Sequence, residues 1–267
     1  MNILYIGDIM GEPGVKVVQQ VLPDLKAKHN IDLVIAQAEN VTEGKGLSKA
    51  DFVRLRNIGI DFCTGGNWSG HRSEIHDYLS DPQQPVIRPA NYPIGTPGKG
   101  WKYIQTKQGP VLVISLLGQI VGKDSANLMD NPLHVVDQIL EENKLIDRVA
   151  TIVNFHGDYS SEKRVIGYYL DGRVTAVLGD HWHVPTADAM VLPKGTAHIT
   201  DVGMCGSLHS SLGVKLDIII SRWKDSKKSK NELEFNGPLQ FNAVIVEVNS
   251  QTNLASKIEQ INKIKHL

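Results

Sequence analysis

Seven polar residues stand where this chain could do chemistry on an anion: Asp8, Glu39, Asn40, Asn67, His156, His181 and His183. Each closes a short apolar run: Ile3 to Ile6, Asp32 to Ala38, Ile60 to Thr64, Ala150 to Phe155 and Val174 to Leu178. Carboxylate and amide oxygens together with imidazole nitrogens are ligands for one or two divalent transition metals. In open α/β sheets the functional crevice lies beyond the carboxyl ends of the strands. Five strand ends therefore deliver Asp, Glu-Asn, Asn, His and His-x-His to one edge. Taken singly the signals are bland: an Asp after a strand reads as a helix cap, and a lone His as a surface or core residue. The shared strand-end position is what singles out this set. On a strand, His181 and His183 would share one face; on a turn they could aim at different metals.

The elements that must position these residues follow a simple order. The first strand is followed by helical spacing over Pro13 to Asn30, which Pro23 is expected to kink or split. The second strand leads to Ser48-Lys49-Ala50-Asp51, a helix N-cap, and then to the third strand. Steps of about 30 residues are the size of βαβ units, and imply a parallel sheet with right-handed crossovers. Trp101 to Thr106 and Val111 to Leu116 read as a hairpin. Leu133 to Ile146 and Ser160 to Tyr169 read as helices. Met190 to Leu192, His198 to Asp201 and Phe241 to Val248 are expected to be strands of a second sheet. Ser221 to Lys230 reads as a solvated basic loop.

Composition sets outer limits. The chain has 267 residues, with 28 Lys plus Arg against 29 Asp plus Glu and a net charge of -1. That is ordinary globular composition, and it offers no dedicated nucleic-acid surface, which would need clustered cations. Two cysteines, Cys63 and Cys205, exclude a disulfide scaffold or a cysteine zinc site, and suit a reducing cytoplasm. No apolar run approaches the roughly 20 residues of a membrane-spanning helix, and the N-terminus lacks a signal-peptide pattern. The glycine-rich start is neither G-x-G-x-x-G nor a P-loop, and no G-x-S-x-G elbow is present. The expectation is a cytoplasmic enzyme that also could form a homo-oligomer.

Seven blocks, IGDIMGEPG, QAENVTEGKGL, GGN, VIRPANYPIGTPGKG, NFHGD, GDHWHVPTAD and LPKGTAHITDVGM, occur in this order. Together they resemble the YmdB-like family of bacterial metallophosphoesterases, a branch of the calcineurin-like superfamily. The match runs from Met1 to about Gly213, and more loosely to the end. The resemblance implies an α/β fold, a four-layer α/β/β/α sandwich of two mixed sheets, with residues 1–267 as one domain. It implies two divalent metal ions, iron or manganese, and hydrolysis of a small phosphodiester such as a cyclic nucleotide. Carried over by residue, Asp8, Asn40 and His183 would hold one ion, Asn67, His156 and His181 the other, and Glu39 would bridge them.

One position departs from the family. An Asn-His pair is expected after the third strand, whereas here Asn67 is followed by Trp68. Two divalent ions about 3.5–4 Å apart can clamp a phosphodiester and generate hydroxide for attack on phosphorus. The missing histidine would protonate the leaving oxygen or bind phosphate, help worth roughly 10²–10⁴-fold. Trp68 offers only an indole N–H; His71 or Asp158 could supply the acid instead. Two functions follow: a metal-dependent phosphodiesterase, or a metal-binding, ligand-sensing protein with little turnover because of Trp68. A non-phosphate metallohydrolase is a third, weaker option. Arg88 to Asn91 and Asp201 read as turn formers, and His198 as packing.

Overall fold

The computed structural model describes residues 1–121 and 129–266. Its first half runs β1 (Asn2–Ile6), β2 (Asp8–Ile9), α1 (Gly11–His29), β3 (Leu33–Gln37), α2 (Lys49–Asn57), β4 (Phe62–Thr64), α3 (His76–Ser80), β5 (Trp101–Thr106) and β6 (Gly109–Leu117). The second half runs α4 (Pro132–Glu142), β7 (Ala150–His156), α5 (Ser160–Tyr169), β8 (Ala176–Asp180), β9 (Met190–Val191), β10 (Ala197–Ile199), β11 (Met204–Ser207), α6 (Leu216–Asp225), β12 (Leu239–Val248) and β13 (Ala255–Lys265).

The strands form two mixed sheets. One has the order β2-β11-β12-β1-β3-β4, with β13 also on β12; the other is β5-β6-β7-β8-β10-β9. Successive side chains of a strand point to opposite faces, and this alternation builds the layers. In β1, Leu4 and Ile6 pack with Val18, Leu22 and Leu25 of α1. Ile3 and Tyr5 pack instead between the sheets, with Val113, Ile152 and Leu178. On the far side Leu112, Ile114 and Val153 meet Val136 of α4 and Ile166 of α5. Helix, sheet, sheet and helix are thus stacked as the expected four-layer sandwich.

Four expectations need correction. Phe241 to Val248 was expected in the second sheet, but β12 lies in the first, antiparallel to β1 with Ile3 opposite Val246. Its alternation suits either sheet; pairing with β1 and with the unforeseen β13 decides the matter. Helix α1 is not split at Pro23 but continues through it as one element; Pro23 is exposed, so water can serve the carbonyl that proline's missing N–H leaves. The basic loop is shorter than expected, because residues 221–225 complete α6. Strand β8 extends to Asp180, two residues beyond the expected Leu178. Among the described residues no helix is long and apolar enough to cross a membrane.

Candidate metal centre

The carboxyl ends of β3, β4, β7 and β8 converge with β2, and all seven strand-end residues gather there. Glu39 is 2% exposed, and its Oε2 accepts hydrogen bonds from the backbone N–H groups of Gly66 (2.6 Å) and Trp68 (2.8 Å). Its Oε1 faces His156 Nε2 at 2.9 Å, off hydrogen-bonding alignment. His156 Nε2 also lies 2.9 Å from Asn67 Oδ1. Gly66 permits this closeness, since a Cβ there would sit 2.3 Å from the His156 ring. Asp8 is fully buried; its Oδ2 accepts from the His181 backbone N–H (3.2 Å), and its Oδ1 lies 3.7 Å from His183 Nε2. Asn40 donates its Nδ2 to Gly44 O (3.1 Å).

His181 and His183 occupy a turn, and both have left-handed φ, 100° and 63°. Such angles are costly for residues with a Cβ and persist only where the surroundings impose them. Here the surroundings are a buried ion pair. Lys163, from α5, donates to Asp201 Oδ2 (2.7 Å) and to the Asp180 carbonyl (2.5 Å). Asp201 Oδ2 also accepts from Trp182 N–H (2.9 Å), and its Oδ1 from Gly203 N–H (2.9 Å). Asp201 is therefore a turn former, as its sequence context suggests, but it also holds the His-x-His turn from beneath.

Sequence reasoning missed Asp180. Read as part of a turn, it is instead the last residue of β8, aimed between the sheets and fully buried. Tyr5 Oη (2.7 Å), Asn154 Nδ2 (2.5 Å) and Gln37 Nε2 (3.3 Å) all donate to its Oδ2. Its Oδ1 pairs with His156 Nδ1 at 2.6 Å. That bond fixes Nδ1 as the donor to Asp180 and leaves Nε2 facing Glu39 and Asn67, the nitrogen a metal would take once its proton is lost, as carboxylates arrange behind metal-binding imidazoles. The available signal was its place directly before His181-x-His183.

Three of the four buried side-chain atoms that lack a hydrogen-bond partner among the described residues are Asp8 Oδ1, Glu39 Oε1 and Asn40 Oδ1; the fourth is His198 Nε2. Buried polar atoms are normally satisfied, so three orphan oxygens in one place call for a cation. The electrostatics agree. Burial, reinforced by the Asp180 carboxylate, holds Asp8 well above the usual carboxylate range. Burial pushes His181 and His183 down to about 4, helped at His181 by His156, so both imidazoles are neutral at pH 7 with a lone pair to offer. Burial opposes charge on His156, but the carboxylates of Glu39 and Asp180 outweigh it and raise its pKa. Ligand atoms of Glu39, His156 and His181 lie within 4.8 Å of one another, as do those of Asp8, His156 and Asp180. Oxygen donors in excess of buried cations, with neutral imidazoles beside them, fit divalent metal.

The corner beyond Asn67 is different. Trp68 is half-buried; the Lys45 ammonium sits 3.7 Å above its ring, and the exposed His71 packs edge-on at 5.3 Å. Trp68 and His71 line a cleft of about 520 Å³ with Arg88 and Tyr92. Asp158, by contrast, reaches the centre, with Oδ1 3.3 Å from His181 Nε2 and Oδ2 accepting from Val121 N–H (2.7 Å). Arg88 donates to the carbonyls of Pro89 and Thr96, and Asn91 is buried between Leu117 and Asp130; both are structural, as expected. His198 is buried in β10.

Residues 4–261 match the family model of YmdB-like proteins. The chain is 38% identical to the 2′,3′-cyclic-nucleotide 2′-phosphodiesterase of Bacillus subtilis, over 98% of this chain and 96% of that one. A hypothetical protein from Thermus thermophilus superposes with a TM-score of 0.89 at 35% identity, covering 99% of this chain and 100% of that one. A phosphatase structure from Mycoplasma pneumoniae gives 0.91 at 30%, covering 100% and 94%.

Proposed function

Because the chain belongs to the YmdB-like family, we propose that it is a metal-dependent phosphodiesterase acting on small or cyclic nucleotides. The observation that carries this reading is the set of three buried, unpartnered oxygens beside two neutral imidazoles at the strand ends. Asp8, Asn40 and His183 would hold one divalent ion and Asn67, His156 and His181 the other, with Glu39 shared. The 3.7 Å approach of His183 to Asp8 and the 2.9 Å approaches of His156 to Asn67 and Glu39 support that grouping. When bound, such a pair, iron or manganese as the family resemblance implies, would supply a hydroxide nucleophile and neutralise phosphoryl charge.

The chain's own residues do the rest. The amide oxygens of Asn40 and Asn67 contribute ligands without charge, which leaves the loaded site attractive to an anion. Asp180 holds the His156 ring and its tautomer. Lys163 and Asp201 hold the turn that presents His181 and His183. Trp68 and Tyr92 wall the adjoining cleft, with aromatic faces suited to a nucleobase. With no imidazole at position 68, proton delivery to a poor leaving group is the weak step, and Asp158, partly exposed beside His181 Nε2 at 3.3 Å, is the carboxyl placed to serve it. A cytoplasmic setting fits Cys63 and Cys205, which are free and buried.

The test is metal content followed by turnover. After reconstitution with iron or manganese, elemental analysis should find up to two ions per chain. The loaded protein should hydrolyse bis-p-nitrophenyl phosphate and, more slowly, 2′,3′-cyclic AMP. Absence of bound metal after both reconstitutions overturns the reading. Full loading with no turnover of either ester supports the second reading, a ligand sensor built on the same site, which Trp68 favours.

A further inference from the structure

The loop after Asn40 carries a cation to which the metal chemistry gives no task. Lys45 is exposed, and its ammonium lies 3.7 Å from the centre of the Trp68 ring. Among the described residues no carboxylate or carbonyl accepts from that ammonium. The neighbouring cations are committed. Arg72 pairs with Glu43 at 2.8 Å and donates to the carbonyls of Thr42 and Lys45. Arg88 directs its guanidinium to the carbonyls of Pro89 and Thr96. The backbone that presents Lys45 is fixed. Glu43, Gly44 and Gly46 have φ of 54°, 81° and 78°. Lys45 N–H donates to Thr42 O (3.0 Å) and Thr42 N–H to Gly46 O (3.1 Å), which closes the turn. A Cβ at Gly46 would stand 2.9 Å from Arg72 Cγ, so glycine there lets Arg72 clamp the loop. Two further contacts lead to expected metal ligands. Asn40 Nδ2 donates to Gly44 O (3.1 Å), one residue before Lys45. The backbone N–H of Trp68, whose ring carries the ammonium, donates to Glu39 Oε2 (2.8 Å). The cation is thus positioned from two directions by the residues proposed to hold metal.

We propose that Lys45 is a substrate-binding residue of this site: its ammonium takes a non-bridging phosphoryl oxygen of the substrate, with the Trp68 ring as the platform that holds it in place. The assignment rests on the phosphodiesterase reading and adds a residue to it. A cation on an exposed aromatic face is held weakly, and its N–H donors stay free for an acceptor. A cation paired with a carboxylate must first break that pair. An ammonium and a phosphoryl oxygen form a charge-assisted hydrogen bond, stronger than the ring contact. Lysine acts as a compact point charge on a flexible stem, which suits a phosphoryl group whose other oxygens face metal. Position 68 accounts for the pairing. A histidine there would present its own donor to the phosphoryl group; an indole presents a face, and Lys45 brings the donor. The role is neutralisation of charge, with no proton changing hands.

The test is isothermal titration of inorganic phosphate into the full chain after reconstitution with manganese and removal of free metal. Phosphate has no base to stack and no ester to cleave, so it reads the anion contact alone. Lys45→Met should weaken phosphate about tenfold, the loss of one charge-assisted hydrogen bond at an open site, and Lys45→Arg should stay within about threefold of native. Trp68→Leu should weaken it about threefold, because the platform is a weak hold. The double variant should be no weaker than Lys45→Met, since the ring acts only through the ammonium. Metal content, measured alongside, should match the native protein in every variant. With bis-p-nitrophenyl phosphate, Lys45→Met should raise KM about tenfold and hold kcat within about twofold, as for a contact made equally in ground and transition states. Equal phosphate affinity in native protein and Lys45→Met overturns the proposal, and so does additive loss in the double variant or a fall in kcat at constant KM. Native protein that binds no phosphate at millimolar concentration overturns it too. Lys45-dependent phosphate binding without turnover of any ester upholds the proposal while overturning the hydrolytic reading, so the two failures are told apart.

Discussion

Glu39 and Trp68 meet at one hydrogen bond, from the backbone N–H of residue 68 to Oε2, and the regions on either side of it are built differently. On the Glu39 side most groups are buried and tightly held: Asp180 takes three donors on one oxygen and His156 on the other. On the Trp68 side the contacts are between exposed or half-exposed groups, an ammonium over an indole and an imidazole against its edge. The first region organises charge in a low-dielectric setting, where misplacement is costly. The second forms the wall of an open cleft. Side chains there can change without disturbing Glu39, since it is the backbone at 66 and 68 that grips its carboxylate.

The comparison breaks most severely at Glu39. Glu39→Ala should abolish both metal loading and turnover, measured by elemental analysis and by nitrophenyl ester hydrolysis; retention of two ions would mean that no shared ligand exists. Trp68→His tests the other side. It should leave metal content unchanged and raise the rate on nucleotide diesters within the roughly 10²–10⁴-fold range of acid catalysis. Nitrophenyl esters, whose leaving group needs no proton, should gain much less. Equal gains would show that position 68 governs phosphate binding, and native activity abolished by His71→Ala would show that His71 already supplies the acid.

Smaller effects sharpen the contrast. Asp180→Asn removes the charge behind His156 without touching an expected ligand atom, and should weaken metal affinity about 10–100-fold. Isothermal titration with manganese measures it; an unchanged affinity would reduce Asp180 to packing. Proton release is the subtlest readout. Asp8 and His156 have raised pKa values in the metal-free protein, so binding metal must expel protons. Affinity should therefore keep rising with pH above the ordinary histidine range of about 6.5, with proton release detectable by titration in buffers of different ionisation enthalpy. His181 and His183, pushed down to about 4, should contribute nothing in that window.

Much of the polar edge at the strand ends was legible in the chain, and the reason is local. A strand's apolar run and the polar residue that ends it are contiguous, so Asp8, Glu39, Asn40, Asn67 and His156 announce their positions without any knowledge of pairing. Asp180 escaped for a related reason: the end of β8 was placed two residues early, which turned a buried strand residue into a loop residue. Lys163 is 0% exposed, yet nothing around it in sequence distinguishes it from a helix surface lysine. Only its distant partner Asp201 makes burial tolerable, because an unpaired buried charge is strongly unfavourable.

The amino-acid sequence by itself determined the apolar alternation that makes the strands, the polar residues that terminate them and the tryptophan at position 68. These are properties of neighbours along the chain. The tertiary structure alone decided that β12 enters the first sheet beside β1, that His181 and His183 adopt left-handed φ over a buried Lys163–Asp201 pair, and that α6 keeps its apolar face in solvent. Each of those outcomes depends on residues far apart in sequence competing for the same buried hydrogen bonds and charges, a competition settled only when the two sheets pack.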